Sequence, residues 1–242
     1  MKVLKMKDKS DDFVIHKKDI DNVPFRSIIC AKSGLGKTSL IASILCLPEF
    51  YSNDFKGENI YIFSPMKNDF KMQKIVEFKQ IPKENIFTEY DDSILNNIYD
   101  ELVDEFEIDI ADKKKPKNCL ILLDDISFSG ALKKGTYNAI NRVFMNGRKQ
   151  SISIIITSQK YSQISTGQRS NASSVFFYNS SMREKELFEA DNNYLENKKL
   201  FFKMMGENLK SKRDFIYVDY SVENVKDMYK NTQFESIIIP PM

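Results

Sequence analysis

The sequence has one histidine, His16, and only three cysteines, Cys30, Cys46 and Cys119, in 242 residues. The cysteines lack metal-ligand spacing, and their odd number argues against a disulfide framework. A reducing, intracellular setting is the default expectation. His16 lies outside every motif described below and is read as incidental. No apolar run approaches the roughly 20 residues needed to span a bilayer. The opening "MKVLKMKDKSDDF" is charged and has no apolar h-region, so no signal peptide and no secretion are expected. Internal repeats and low-complexity segments are also missing. Nor does charge of one sign dominate: 36 basic against 34 acidic residues leave a net charge of +2. That balance neither implies nor excludes a nucleic-acid partner, because a local basic patch suffices for contact.

What is present is a core. Hydrophobic residues make up 42% of the chain, with 18 Phe and 11 Tyr, which excludes wholesale disorder. The length suits one α/β domain with short arms. Residues 1–22 read as a charged arm or peripheral strand. Residues 23–242 read as a single domain, less typical from about 179 onward.

Short apolar runs alternate with helical patterns. "FRSIIC", "NIYIFSP", "NIFTEY", "CLILLDDI", "SISIIITSQ", "SSVFFYNS" and "KRDFIYVDY" read as strands. "KTSLIASILCL", "KNDFKMQKIVEFKQ", "SILNNIYDELVDEFEI" and "KGTYNAINRVFMNGRK" read as helices. The first of these is ended by Pro48, the third carries Ser93 as a candidate N-cap, and the last stops near Gly147. "MREKELFEADNNYLENKKLFFKMM" reads as largely helical. Strands apolar along most of their length, alternating with helices, predict a mostly parallel sheet with helices on both faces.

The first strand runs into "AKSGLGKTSL". The pattern G-x-x-x-x-G-K-[ST] is met except at its first position, where Ala31 stands. Ala is tolerated there if it keeps φ below zero. Ala31, Lys32, Ser33, Gly34, Leu35, Gly36, Lys37, Thr38 and Ser39 then form a phosphate-binding loop. Gly34 and Gly36 free the backbone to turn its N–H groups on phosphate, and the following helix presents its positive end. Lys37 is expected to reach the β- and γ-phosphates of ATP, and Thr38 to hold Mg²⁺.

A phosphate loop that hydrolyses needs an acid on a second strand. "LILLDD" supplies Asp124 for the metal and Asp125 to polarise water. Many hydrolytic motors carry Glu at the second place; Asp reaches one methylene less far. A turn cap is the plain structural alternative for Asp125. "SIIITSQ" puts Thr157, Ser158 and Gln159 at a strand's carboxyl end, where α/β sheets bind ligands. Gln159 is a candidate γ-phosphate sensor. Arg148 in "NGRK" and Arg169 in "GQRSN" are candidate arginine fingers for a neighbouring subunit.

Together these segments resemble the FtsK–HerA class of ring-forming DNA-pumping ATPases, and within it the genome-packaging ATPases of virophages and large eukaryotic DNA viruses, the poxvirus type included. The likeness runs over about residues 23–178. A G-R element before the S-Q strand matches Gly147-Arg148, which favours Arg148 as the finger. An Arg-x-Asn element matches Arg169 to Asn171, and the Asp-Asp pair resembles the viral branch. The resemblance implies a P-loop ATPase that assembles as a homo-oligomeric ring, pentameric or hexameric, and threads double-stranded DNA into a preformed capsid. It further implies capsid vertex proteins as partners and a place in the host cytoplasm or the virion. "NLKSKRDF" and Lys113, Lys114, Lys115 and Lys117 read first as solvated turns, with contact to DNA phosphates as the alternative. A helicase-like motor or a nucleotide kinase are the competing functions. No Arg-rich lid segment is evident for a kinase, and no Asn-Lys-x-Asp sequence for a GTPase.

Overall fold

The fold is that of a computed structural model, which describes residues 12–65, 69–126, 132 and 138–238. Its strands are β1 (Arg26–Cys30), β2 (Ile60–Phe63), β3 (Ile86–Phe87), β4 (Cys119–Leu123), β5 (Ile152–Ser158), β6 (Ser174–Tyr178), β7 (Phe215–Asp219) and β8 (Tyr229–Lys230). They form one sheet in the order β3-β2-β4-β5-β1-β6-β7-β8. The first six pair in parallel, and β7 and β8 are antiparallel additions at one edge. The mostly parallel sheet expected from the sequence is what forms.

Alternation along the strands divides the core in two, because successive side chains point to opposite faces. Ile28, Ile121, Leu123, Ile154 and Ile156 face one layer. Ile29, Leu120, Leu122 and Ile155 face the other. The first layer is covered by α3 (Asp92–Ala111), α4 (Ala139–Asn146), α6 (Met182–Asn192) and α7 (Lys198–Asn208), and the second by α1 (Lys37–Cys46) and α2 (Phe70–Lys79). A short helix, α5 (Thr166–Asn171), precedes β6.

Some elements differ from their sequence reading. The cap of α3 is Asp91, whose carboxylate accepts from the backbone N–H of Ser93 and Ile94 at 2.7 and 3.3 Å; Ser93 lies inside the first turn. An Asp two residues upstream outcompetes Ser because its carboxylate accepts twice and opposes the helix dipole. "NIFTEY" pairs only through Ile86 and Phe87. The segment 182–208 is broken between α6 and α7, where Asn197 starts α7 by accepting from Leu200 N–H at 3.0 Å. Residues 1–11, 134–137 and the tail from 239 lie outside the described residues.

The end of the expected arm enters the core. Ile20 and Asp21 are buried, and Ile15 bridges to Val23. Asp21 accepts from the Ser173 hydroxyl at 2.6 Å and from the Tyr217 hydroxyl, while its own carbonyl accepts from Tyr51 at 2.7 Å. Burial pushes its carboxyl above the usual range. Close by, Lys230 pairs with Asp219 at 3.2 Å and donates to the Asp19 carbonyl at 3.0 Å. The N-terminal segment and the C-terminal hairpin are thus tied to each other across β7.

Candidate active site

The site lies at the carboxyl ends of the central strands. Beyond β1, Gly34 and Gly36 adopt φ of 76° and 110°, the left-handed region that favours glycine. Ala31 keeps a negative φ, so alanine costs nothing at the head of the loop. Its N–H donates to the Ser158 carbonyl at 3.0 Å, continuing the β1–β5 ladder into the loop. Lys37 is 9% exposed, and its Nζ donates to the Ala31 carbonyl at 2.9 Å. The ammonium is therefore folded over the loop it belongs to.

β5 lies between β1 and β4. Thr157 and Gln159 at its end therefore stand between the phosphate loop and the two aspartates. Thr157 Oγ1 accepts from the Asp125 N–H at 2.9 Å and donates to Asp124 Oδ1 at 2.8 Å. One hydroxyl thereby fixes both acids. Ser64, at the end of β2, donates to the other oxygen of Asp124 at 3.2 Å. Asp125 has φ 52°, a conformation that Asp tolerates better than most residues. This turns its side chain toward Gln159, whose Nε2 donates to both carboxylate oxygens at 2.9 and 3.2 Å.

A cavity of about 400 Å³ joins the loop to the acids, lined by Ser33, Gly34 and Gly36 to Ser39, by Asp124 and Asp125, and by Asp69, Phe70, Lys71 and Arg213. Asp69 caps α2 and accepts from Thr38 Oγ1 at 3.1 Å. The oxygens of Thr38 and Asp124 are hard donors suited to Mg²⁺, and Asp69 adds another. Among the described residues no cluster of three or more His, Cys, Asp or Glu is placed to hold a metal.

Burial raises the Asp124 carboxyl above its ordinary range, an effect partly offset by the bonds from Thr157 and Ser64. A raised folded-state pKa means that the folded chain binds this proton more tightly than the unfolded chain. Stability therefore falls as pH rises through that range, and the ionised, metal-free carboxylate is costly at neutral pH. Asp124→Asn keeps the shape and removes the charge. Without metal or nucleotide, its melting temperature at pH 7 is expected to rise above that of the wild type. The difference shrinks toward pH 4, and a melt series over pH measures it.

The chain matches the family model described as "Poxvirus A32 protein" over residues 13–237. It belongs to the poxvirus A32 protein family. The match spans nearly all of this A32-family chain, including the segment beyond 178 that the sequence motifs do not reach. No curated protein matches it. Among solved structures, the genome-packaging NTPase B204 from Sulfolobus turreted icosahedral virus 2, in complex with AMPPCP, is similar with a TM-score of 0.57 at 13% identity, covering 86% of this chain and 96% of that one. B204, the DNA-packaging ATPase from Sulfolobus turreted icosahedral virus, gives 0.55 at 14% identity, over 86% and 97%. The pCW3 conjugation coupling protein TcpA, in monomer form with ATPγS, gives 0.53 at 13% identity, over 84% and 61%. At these identities the likeness is one of fold: the A32-family chain has a P-loop ATPase fold.

The two candidate fingers lie in different surroundings. Arg148 is exposed in the turn Gly147–Gln150 that leads into β5. Arg169 is engaged: its Nε lies 3.2 Å from Asp191, its guanidinium stacks 5.1 Å from the Tyr161 ring centre, and its side chain is 10% exposed. Of the basic segments, Lys114 pairs with Asp112 at 2.8 Å and Lys117 with Glu105 at 3.2 Å. "NLKSKRDF" is more than a solvated turn, because its Arg213 lines the phosphate-loop cavity. Asp69, Ser64 and Arg213 are the site residues that the motifs miss. Asp69 carried a weak signal, a cap-type residue inside the segment read as helical, whose helix begins only at Phe70. Ser64 carried a weaker one, a polar end on a buried strand.

Proposed function

We propose that this chain is an ATP-hydrolysing translocase that moves double-stranded DNA into a preformed viral capsid. The observation that carries the hydrolytic part is the hydrogen-bonded pair of Gln159 and Asp125, placed by β5 between the phosphate loop and the acid-bearing strand. Family membership supports the packaging part.

In this reading Lys37 leaves the Ala31 carbonyl for the β- and γ-phosphates of ATP. Thr38 and Asp124 would hold Mg²⁺, which when bound neutralises charge on those phosphates. Asp125 accepts a proton from the attacking water, and Gln159 holds the carboxylate in place and senses the γ-phosphate. We assign the finger to Arg148, because Arg169 is committed to Asp191 and Tyr161. A finger offered to a neighbour requires a ring of this chain, with duplex DNA as substrate and capsid vertex proteins as the docking partner.

Purified protein is expected to hydrolyse ATP faster with duplex DNA than without. Equal rates would remove DNA from the reading, and phosphoryl transfer to a nucleoside would replace it with a kinase. Arg148→Ala and Asp125→Asn subunits are each expected to be inactive and to regain activity when mixed. A mixture as inactive as its components would show that Arg148 does not act on a neighbour.

A further inference from the structure

The helices on either side of the edge strand β3 in sequence, α2 before it and α3 after it, cover opposite faces of the sheet. Each buries one flank and leaves another bare. On α2 the bare flank holds Phe70, Lys74 and Phe78, at i, i+4 and i+8, so the three stand in one line. Phe70 is 67% exposed and Phe78 61%, and the Lys74 ammonium lies 5.1 Å from the Phe70 ring centre. On α3 the bare flank holds Ile94, Asn97, Glu101, Asp104 and Ile108, at alternating steps of three and four residues, the spacing of a helix–helix seam. Single exposed apolar residues need no explanation, but two aligned stripes, each apolar at both ends and charged between, do. The charges are opposite in sign. Lys71 and Glu77 offset one another beside the α2 stripe, leaving Lys74. α3 has no Lys or Arg along its length. Of its acids, Asp100 pairs with Arg142 at 2.6 Å and Glu105 with Lys117 at 3.2 Å. Among the described residues Glu101 and Asp104 pair with no cation, and Lys74 with no carboxylate.

We infer that the α2 stripe of one copy of this chain docks on the α3 stripe of the next, with Lys74 meeting Glu101 and Asp104 and the apolar side chains closing around them. A second copy is the occupant because both halves of the complementary surface are on this chain. The stripes cover opposite faces of the sheet, so one partner cannot engage both. The contact is therefore head-to-tail and builds a ring or a filament rather than a closed pair. This rests on the ring proposed above and says which faces form it. Phe70 also lines the phosphate cavity, and beside it Asp69 accepts from Thr38 and Lys71 donates to Ser39. On α3, Tyr99 donates to Gln150 at 3.4 Å, in the turn that carries Arg148. The contact thus sets the helix that touches the phosphate loop of one copy against the helix that braces the Arg148 turn of the next.

The test is sedimentation velocity of the purified chain over a concentration series, with Mg²⁺ and a non-hydrolysable ATP analogue. The wild type is expected to assemble. Lys74→Glu and the double variant Glu101→Lys/Asp104→Lys are each expected to weaken association about tenfold or more, because like charges then face each other. All three positions are exposed, so melting temperatures should stay near that of the wild type. Combining the three changes in one chain restores opposite signs and is expected to recover assembly. Charge-reversed variants that associate as tightly as the wild type overturn this contact and leave the ring reading standing. So does a triple variant that associates no better than the double. A wild type that stays monomeric throughout overturns the contact and the ring together.

Discussion

Lys37→Ala loses about a thousandfold or more in ATP hydrolysis, the scale of removing a preorganised charge from the transferring phosphoryl group. The structure says why nothing replaces it. The ammonium is buried 2.9 Å from the Ala31 carbonyl at the head of the loop, and in the proposed reading it meets the phosphates from that side. Lys71 and Arg213 line the same cavity from other elements and cannot take that position. Lys37 is the first residue of α1, where alanine is well tolerated, so folding is expected to survive. Normal hydrolysis by a folded Lys37→Ala protein, followed by phosphate release, would end the assignment of the loop.

Asp125→Asn should cost about 10²–10⁴ in turnover with nucleotide binding retained, because the amide cannot take the proton of the attacking water. The substitution keeps the backbone and one of the two bonds from Gln159, because Asn offers one acceptor oxygen where Asp offers two. Asn tolerates the left-handed backbone that Asp125 holds at φ 52°, so the N–H bond to Thr157 survives. Gln159→Ala should cost less, about tenfold to a hundredfold, since the base remains but loses the amide that orients it. Single-turnover rates at saturating ATP separate this from weaker binding. Full activity in Asp125→Asn would demote the residue to a turn.

These expectations were largely legible in the sequence, and the reason is local. A strand, a glycine-bearing loop and a helix are contiguous, so "FRSIICAKSGLGKTSL" announces its own geometry. "LILLDD" and "SIIITSQ" do the same, because a buried strand with a polar end has few other readings. Arg213 was not legible in this way. It reaches Gly36 from a turn far along the chain, and nothing in "NLKSKRDF" distinguishes that from a solvated loop. Arg169 misleads in the opposite sense, since its partner Asp191 lies on another helix. The buried carboxylate of Asp21 sits in a stretch that reads as charged surface. Its partners Ser173 and Tyr217 are more than 150 residues away, as the separations of 152 and 196 record.

The position of β1 has a consequence for how the chain is made. Among the described strands it comes first along the chain, yet it lies in the middle of the sheet, paired on one side with β5 and on the other with β6. Neither neighbour exists until β5 is complete at residue 158, and both exist only at residue 178, so this apolar strand must wait, unpaired, for most of translation. The phosphate loop hangs from that strand. Nascent chains released early should therefore be insoluble as well as inactive, and the capacity to hold a nucleotide should appear late and all at once.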